Sequence, residues 1–403
     1  MRRVFLIGLA LAWAVVASAQ EATKAEQSKG AEQSIAELSA RLEKSEKRIA
    51  TFQEIRKYVN LTAFFQAQYD WIDDREGLSN TGTSTFHIRR ARMNLAGTLY
   101  QGEKGAKIDY RFLFDLARLP KNNPLLEAWV RYQPFKEFGV QMGQLMNPFS
   151  YEAATTSAKY EFIDFSYVVR ALAKLSTDDL TGYSTSGRDC GVQFFGGFIH
   201  RKGYSIINYN LAILNGNGVN LKDDNKSKDI VGRLTIKPIK ELSASLYYQR
   251  GEANLSHFSE EKLAEYGWSG NAEYVKFHRL GGGFAYKSNN IFLRGEYIAG
   301  LTGNLVSEGA YLQGVRYFSL PKNAGRIWVG GMVDYLCLNC GDYIHRNTKE
   351  SVVDMRYTLS AGYWPIKYLR LQVAYSLEQR INYTFNNNRP FGNSVKFMAT
   401  VLL

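Results

Sequence analysis

The stretch VNLTAFFQAQYD, residues 59–70, alternates apolar and polar side chains with a period of two. Positions 59, 61, 63, 65, 67 and 69 are apolar, and five of the six residues that follow them are polar. A strand with lipid on one face and water on the other requires this alternation. The stretch therefore predicts one strand of a transmembrane β-barrel.

Segments of the same kind continue to the C-terminus. Tight connections at 101–104, 200–202, 288–289 and 364–366 alternate with longer ones around 72–84, 148–187, 215–227, 251–272 and 380–392. Short turns on one rim and long loops on the other are typical of bacterial outer-membrane barrels, and sixteen strands leave an aqueous channel. We expect an all-β, 16-stranded antiparallel transmembrane β-barrel over 58–403, with strands near 58–71, 85–100, 105–117, 124–133, 137–147, 188–199, 203–214, 228–237, 241–250, 273–286, 290–299, 308–318, 325–336, 350–363, 367–379 and 393–403.

The N-terminal 57 residues have a different character. Two arginines, an apolar run and the Ala17-Ser18-Ala19 pattern predict a secretory signal peptide over 1–19. Residues 20–57 are rich in Glu, Lys and Ala, with an imperfect heptad pattern that favours a short periplasmic coiled coil and hence a homo-oligomer. A single amphipathic or partly disordered spacer is the alternative. A structural tether between the barrel and the cell wall is a further alternative for the main role.

The chain is basic, with 50 Lys and Arg against 38 Asp and Glu. For an exported protein this balance indicates small anions or anionic lipid, not nucleic acid, as partners. The three cysteines give no disulfide framework. Cys337 and Cys340 fall in a predicted external loop, where they could form a disulfide, remain thiols or supply half of a zinc site. Cys190 has no evident partner in the sequence.

The strand parity that faces water carries more bases than acids. Excess positive charge along a narrow pore favours anions, which predicts an anion pathway. The alternative is that these arginines pair with carboxylates and hold an inward-folded loop. The predicted pathway residues are Arg90, Arg92, Lys107, Arg111, Arg131, Arg233, Arg294, Arg356 and Arg370, with Lys237 and Lys396 on the same parity and Asp109, Asp115, Glu127, Asp229, Glu296 and Asp354 as the acids.

The connection 148–187 is too long to be a passive link, because loops of this length are usually functional or disordered. We expect it to fold inward as a constriction loop, with helical character over 162–175. Its candidate lining residues are Tyr151, Tyr160, Tyr167 and Lys174.

The sequence gives little support for an enzyme. The five histidines are scattered, and none lies in a recognisable nucleophile motif. We therefore predict no catalytic residue, no metal ligand and no cofactor.

Five segments between residues 86 and 218 resemble motifs of the phosphate-selective porin O/P family: Ile88-Arg89-Arg90-Ala91-Arg92 with Gly97, LLEAWV at 125–130, GQLMNPFS at 143–150, GRDCGVQ at 187–193 and LNGNG at 214–218. The resemblance implies an outer-membrane trimer of sixteen-stranded barrels with an inward third long loop. It also implies an arginine ladder that leads to a basic phosphate site, and Arg90 and Arg92 lie in the matching motif. Phosphate or a polyphosphate-type anion is thus the expected solute, with a general or carbohydrate-passing porin as the alternative.

Overall fold

The computed structural model describes residues 40–47, 58–73, 82–102, 105–120, 122–175, 186–268, 273–338, 340, 352–382, 387–388 and 392–403. The chain divides into two compact units, Met1–Val59 and Asn60–Leu403. The predicted signal peptide lies outside the described residues. Of the predicted coiled-coil segment, the structure describes residues 40–47. They are helical and exposed, with Lys47 Nζ 2.7 Å from a Glu43 carboxylate oxygen. The coiled coil stays a prediction.

The second unit is a closed barrel in which every neighbouring pair of strands is antiparallel. It closes because the first strand pairs with both the second strand and the last. Sixteen strands form the wall within the described residues, which confirms the predicted barrel. Their bounds are β1 Asn60–Ile72, β2 Thr83–Gln101, β3 Lys107–Asp115, β4 Leu125–Phe135, β5 Phe138–Met146, β6 Arg188–Arg201, β7 Tyr204–Leu214, β8 Asp229–Ile239, β9 Leu242–Asn254, β10 Tyr274–Lys287, β11 Ile291–Thr302, β12 Leu305–Ser319, β13 Arg326–Leu338, β14 Val352–Ile366, β15 Leu369–Asn382 and β17 Gly392–Leu402; β16, Asn387–Asn388, is a two-residue strand paired with the end of β15.

Burial follows the predicted parity along the wall. In β1, Gln66 and Gln68 are buried inside the barrel, whereas Leu61, Phe65 and Trp71 are exposed on its outer face. Exposed apolar side chains on the outer face are what a lipid environment favours. None of the helices within the described ranges has the length and hydropathy to cross a membrane.

Short and long connections alternate around the barrel with one exception. The connection between β11 and β12 lies on the long-loop rim, yet it is the two-residue turn at Gly303 and Asn304. Gly303 has φ 57°, in the left-handed region that glycine adopts at little cost. This point of the rim therefore carries no long loop.

The hydrophobic core lies inside the barrel, between the wall and the loop that joins β5 to β6. Val168, Val169 and Leu172 of the loop are almost fully buried against the wall, and Phe162 packs in a second cluster with Trp328. The loop therefore folds inward, as expected for 148–187. Its described residues contain one 3₁₀ turn, Ser157–Lys159, and one short α-helix, Tyr167–Leu172.

This helix is shorter than the predicted helical stretch 162–175. Ser166 caps its N-terminus by accepting a hydrogen bond from the Val169 amide. At the C-terminus, Lys174 has a positive φ of 55°, a backbone conformation that ends a helix. Residues 162–164 precede this cap, are not helical and contact the wall.

Gly143 in β5 provides a test of the wall packing. Its φ is 129°, and a Cβ at this position would lie 2.2 Å from the Ala128 carbonyl oxygen. Gly143→Ala is therefore expected to destabilise the barrel by about 1–3 kcal/mol, since the substitution adds both backbone strain and a clash. The measurement is thermal unfolding in detergent. Gly232→Ala in β8 is the matched control, because a Cβ there meets no atom within 4 Å. Equal melting temperatures for the two variants would contradict the argument.

Candidate functional site

The tip of the inward loop is fixed by a carboxylate between two cations. Asp164 lies 2.6 Å from Arg89 Nη2 of β2 and 2.5 Å from Lys396 Nζ of β17. Burial by itself raises the pKa of Asp164, but Arg89 and Lys396 outweigh burial and hold the pKa well below its usual range. The carboxylate stays ionised, so the loop is pinned across the junction where the barrel closes.

A second anchor lies on the β11 side. Arg294 is fully buried, and its guanidinium donates to Glu152 at 3.4 Å and to Thr155 Oγ1 at 3.0 Å. The neighbouring Glu296 accepts hydrogen bonds from the backbone amides of Tyr151 at 2.9 Å and Glu152 at 2.7 Å. The wall therefore holds both the side chains and the backbone of the loop's first turn.

Further arginines hold loop carbonyls along β10, β14 and β15. Arg356 donates to the Phe165 carbonyl at 2.7 Å and pairs with Asp334 at 2.6 Å. Arg279 donates to the Leu172 carbonyl at 2.5 Å, and Arg370 donates to the Ser157 carbonyl at 3.5 Å. These three arginines and Arg294 are each at most 2% exposed. They act as loop anchors and present no charged surface to water.

On the other side of the loop, between it and the wall of β2, β4 and β6, lies a cavity of about 430 Å³. Its lining is strongly basic, with seven cationic side chains against the two carboxylates Asp115 and Asp164. The seven are Arg89, Arg90, Arg92, Arg118, Arg170, Arg188 and Lys396.

A β-bulge in β2 explains why consecutive arginines face this cavity. The pairing with β1 passes from Gln66–Arg90 to Ala67–Ile88, so Arg89 is an extra residue. A bulge changes the parity of the strand on one side of itself. Both Arg89 and Arg90 therefore point inward, whereas strict alternation predicted only Arg90.

The cations of the cavity differ in how far they are neutralised. Arg92 pairs with Asp115 at 2.9 Å, and Arg188 lies 3.1 Å from Glu127. Arg90 donates to the neutral Gln66 amide oxygen at 2.9 Å and makes no ion pair within the described part of the chain. Arg118 Nη1 is buried without a hydrogen-bond partner among the described residues. Arg90 and Arg118 therefore contribute positive charge that no direct ion pair among the described residues neutralises.

The other predicted pathway residues are distributed over the wall. Arg111 pairs with Glu127 at 3.0 Å, and Lys107 pairs with Asp109 at 3.3 Å. Arg131 donates to Gln141 and lies 4.8 Å from the Trp129 ring centroid. These three remain partly exposed on the inner wall of β3 and β4, outside the cavity.

Arg233 and the candidate lining residues of the loop are placed differently. Arg233 donates to the Ser150 carbonyl at 3.4 Å, so it contacts the start of the loop. Tyr160 and Lys174 are buried between loop and wall, and Lys174 pairs with Asp229 at 3.3 Å. Tyr151 and Tyr167 are partly buried. The structure thus brings these side chains to the loop–wall contact.

The cysteines are free thiols. The prediction that Cys337 lies in an external loop is wrong: it belongs to β13 and is buried, because β13 extends to Leu338. Cys340 Sγ donates to the Cys337 carbonyl at 3.2 Å. Within the described residues, no group of three His, Cys, Asp or Glu side chains could hold a metal ion.

Comparisons with known proteins identify the family. The phosphate-selective porin O and P family matches residues 59–303. No curated protein matches the sequence. Solved structures with the same fold include the anion-selective porin from Comamonas acidovorans (12% identity, 86% of this chain and 99% of that one, TM-score 0.59). They also include the trimer form of OmpT from Vibrio cholerae (10%, 86% and 99%, 0.58) and the channel DcaP of Acinetobacter baumannii (14%, 86% and 97%, 0.56). The chain belongs to the phosphate-selective porin O and P family and is an outer-membrane porin, a channel and not an enzyme.

Proposed function

We propose that this porin passes small anions in preference to cations, and that phosphate and polyphosphate-type anions are its leading solutes. The observation that carries the proposal is the lining of the cavity beside the loop, with seven basic side chains and two acidic ones. An excess of one sign of charge in a narrow cavity raises the local concentration of the opposite ion.

The type of cation supports phosphate among the small anions. Six of the seven basic side chains in the cavity are arginines. A guanidinium offers two parallel N–H donors that match the oxygens of a phosphate, whereas an ammonium group acts as a point charge. One structural neighbour is described as an anion-selective porin, which is consistent with this proposal.

The test is a planar-bilayer measurement of the reversal potential under a salt gradient, followed by addition of phosphate. We expect an anion-selective sign and a block of the chloride current by phosphate. In the double variant Arg90→Ala, Arg92→Ala both effects should weaken, because each lost charge contributes about 1 kcal/mol at 4 Å in water, or about fivefold.

Arg316→Ala is the control for this variant, since Arg316 is exposed on the outer face of β12 and its loss should leave both readings unchanged. A large conductance with little selectivity and no response to phosphate would replace the proposal with a general or carbohydrate-passing porin. A cation-selective sign would reject it outright.

We also propose that the protein is a homotrimer whose segment 20–57 forms a periplasmic coiled coil after removal of residues 1–19. The trimer form of the OmpT neighbour and the helical, exposed residues 40–47 support this proposal. Deletion of 21–57 tests the role of the segment: a porin keeps its conductance, whereas a protein that serves mainly as a tether loses its role.

A further inference from the structure

We infer that the cavity beside the loop selects organic anions that carry a flat apolar group over inorganic anions of the same charge. This inference rests on the proposed anion-conducting function and names the class of solute that the cavity fits best.

The size of the cavity is the first argument. Its volume of about 430 Å³ falls within the range of about 300–1,000 Å³ that is usual for sites that bind small organic molecules. A single inorganic phosphate ion would occupy a small part of this space and leave the rest to water. The cavity therefore has room for a larger body attached to the anionic group.

The lining is the second argument, because it combines two kinds of surface. Arginines of β2, together with Arg118 and Arg188, supply the charge, whereas Ala153, Phe165 and Leu175 of the loop supply apolar surface. Water makes no favourable contact with apolar surface in a narrow passage. An apolar group on the solute does bind there favourably, because the contact removes apolar surface from water. A solute with an oxyanion at one end and an apolar body would use both surfaces at once.

Phe165 is the side chain that makes this surface aromatic. Its ring stacks on the Tyr160 ring, with centroids 4.6 Å apart and an interplanar angle of 29°. Its backbone carbonyl is held by Arg356 at 2.7 Å. Phe165 remains only partly buried, so a fixed aromatic edge or face is available to the cavity at little cost in side-chain entropy.

The groups that would bind the two ends of such a solute are both in place. Arg90 is partly exposed and makes no ion pair among the described residues, and Arg118 lines the same cavity, so both guanidinium groups place positive charge where the oxyanion would lie. Phe165 offers a partner for an aromatic ring in stacked or edge-on geometry. Phenyl phosphate and aryl carboxylates are the simplest molecules with this combination.

The experiment compares phenyl phosphate with inorganic phosphate as blockers of the chloride current, at mildly alkaline pH where both are dianions. We expect half-block by phenyl phosphate at a concentration about tenfold lower. In Phe165→Ala this ratio should fall towards one. Equal half-block concentrations in the unmodified protein, or an unchanged ratio in Phe165→Ala, would overturn the inference.

Two further variants keep the result interpretable. Phe86→Ala is the matched control, because Phe86 is 83% exposed on the outer side of β2 and its removal should leave the ratio unchanged. If Phe165→Ala alters the chloride conductance through a shift of the loop, Phe165→Leu tests whether the apolar contact causes the preference for phenyl phosphate. Leucine keeps an apolar side chain that fills most of this space, so most of the preference should remain, and complete loss would count against an apolar contact. The reversal potential from the same bilayers shows separately whether the pore favours anions at all.

Discussion

Replacement of Arg294 by glutamine is expected to raise the single-channel conductance at least about twofold and to destabilise the barrel by about 3–5 kcal/mol. Arg294 is fully buried between the loop and β11, where it pairs with Glu152 and donates to Thr155. Its loss leaves the Glu152 carboxylate buried beside Glu296 without its cation, which is the costly way to break a buried ion pair. The loop should leave the wall, and the pore should widen.

The double variant Arg294→Gln, Glu152→Gln separates the two parts of this effect. With both charges of this pair removed, Glu152 is no longer a buried carboxylate without its cation, so a large share of the lost stability should return. The measurements are thermal unfolding in detergent and conductance steps in bilayers. Arg316→Gln on the outer face is the control for loss of an arginine. An Arg294→Gln channel with unchanged conductance would show that the loop does not depend on this anchor.

Reversal of two charges in the cavity, Arg90→Glu with Arg118→Glu, is expected to abolish anion selectivity. The cavity has an excess of five positive charges, from seven cations and two carboxylates, and the two reversals remove four of these. Arg90 and Arg118 make no ion pair among the described residues, so no existing pair is broken. At about 1 kcal/mol per charge at 4 Å in water, the permeability ratio should fall by at least an order of magnitude.

The matched control for this variant is Lys276→Glu with Arg316→Glu. It changes the net charge of the protein by the same amount, but both side chains are exposed on the outer face of the barrel. Reversal potentials under a salt gradient report the permeability ratio for each protein. Equal loss of selectivity in the two double variants would mean that overall charge, and not the cavity, sets the preference.

Much of the fold could be predicted from the sequence because a membrane barrel imposes a period of two on every strand. Gln66 and Phe65 face opposite sides as their parity requires, and the tight turns indicated the short-turn rim. The two-residue turn at Gly303 and Asn304 was not predicted, because the alternation of short and long connections gave no reason to expect it.

The site was less accessible to sequence reasoning, for two physical reasons. A bulge is a local change of register, and nothing in the alternation around Arg89 indicates the extra residue. Whether an inward arginine faces water or a loop carbonyl depends on the path of the loop, which only tertiary structure fixes. Arg294 and Arg90 share the same parity signal, yet one is a buried anchor and the other lines the cavity. Arg279 was missed because its strand also has bases on its outer face, at Lys276 and His278.

The loop that crosses the lumen also has a mechanical consequence. Its contacts reach Asp229 of β8, Glu296 of β11, Asp334 of β13 and Arg89 of β2, which lie at well-separated points of the circumference. A hollow cylinder deforms most easily by becoming oval, and a cross-brace between separated points of the wall resists that deformation. Changes in lateral membrane tension should therefore alter the cross-section of this barrel less than that of a barrel whose loops all lie outside.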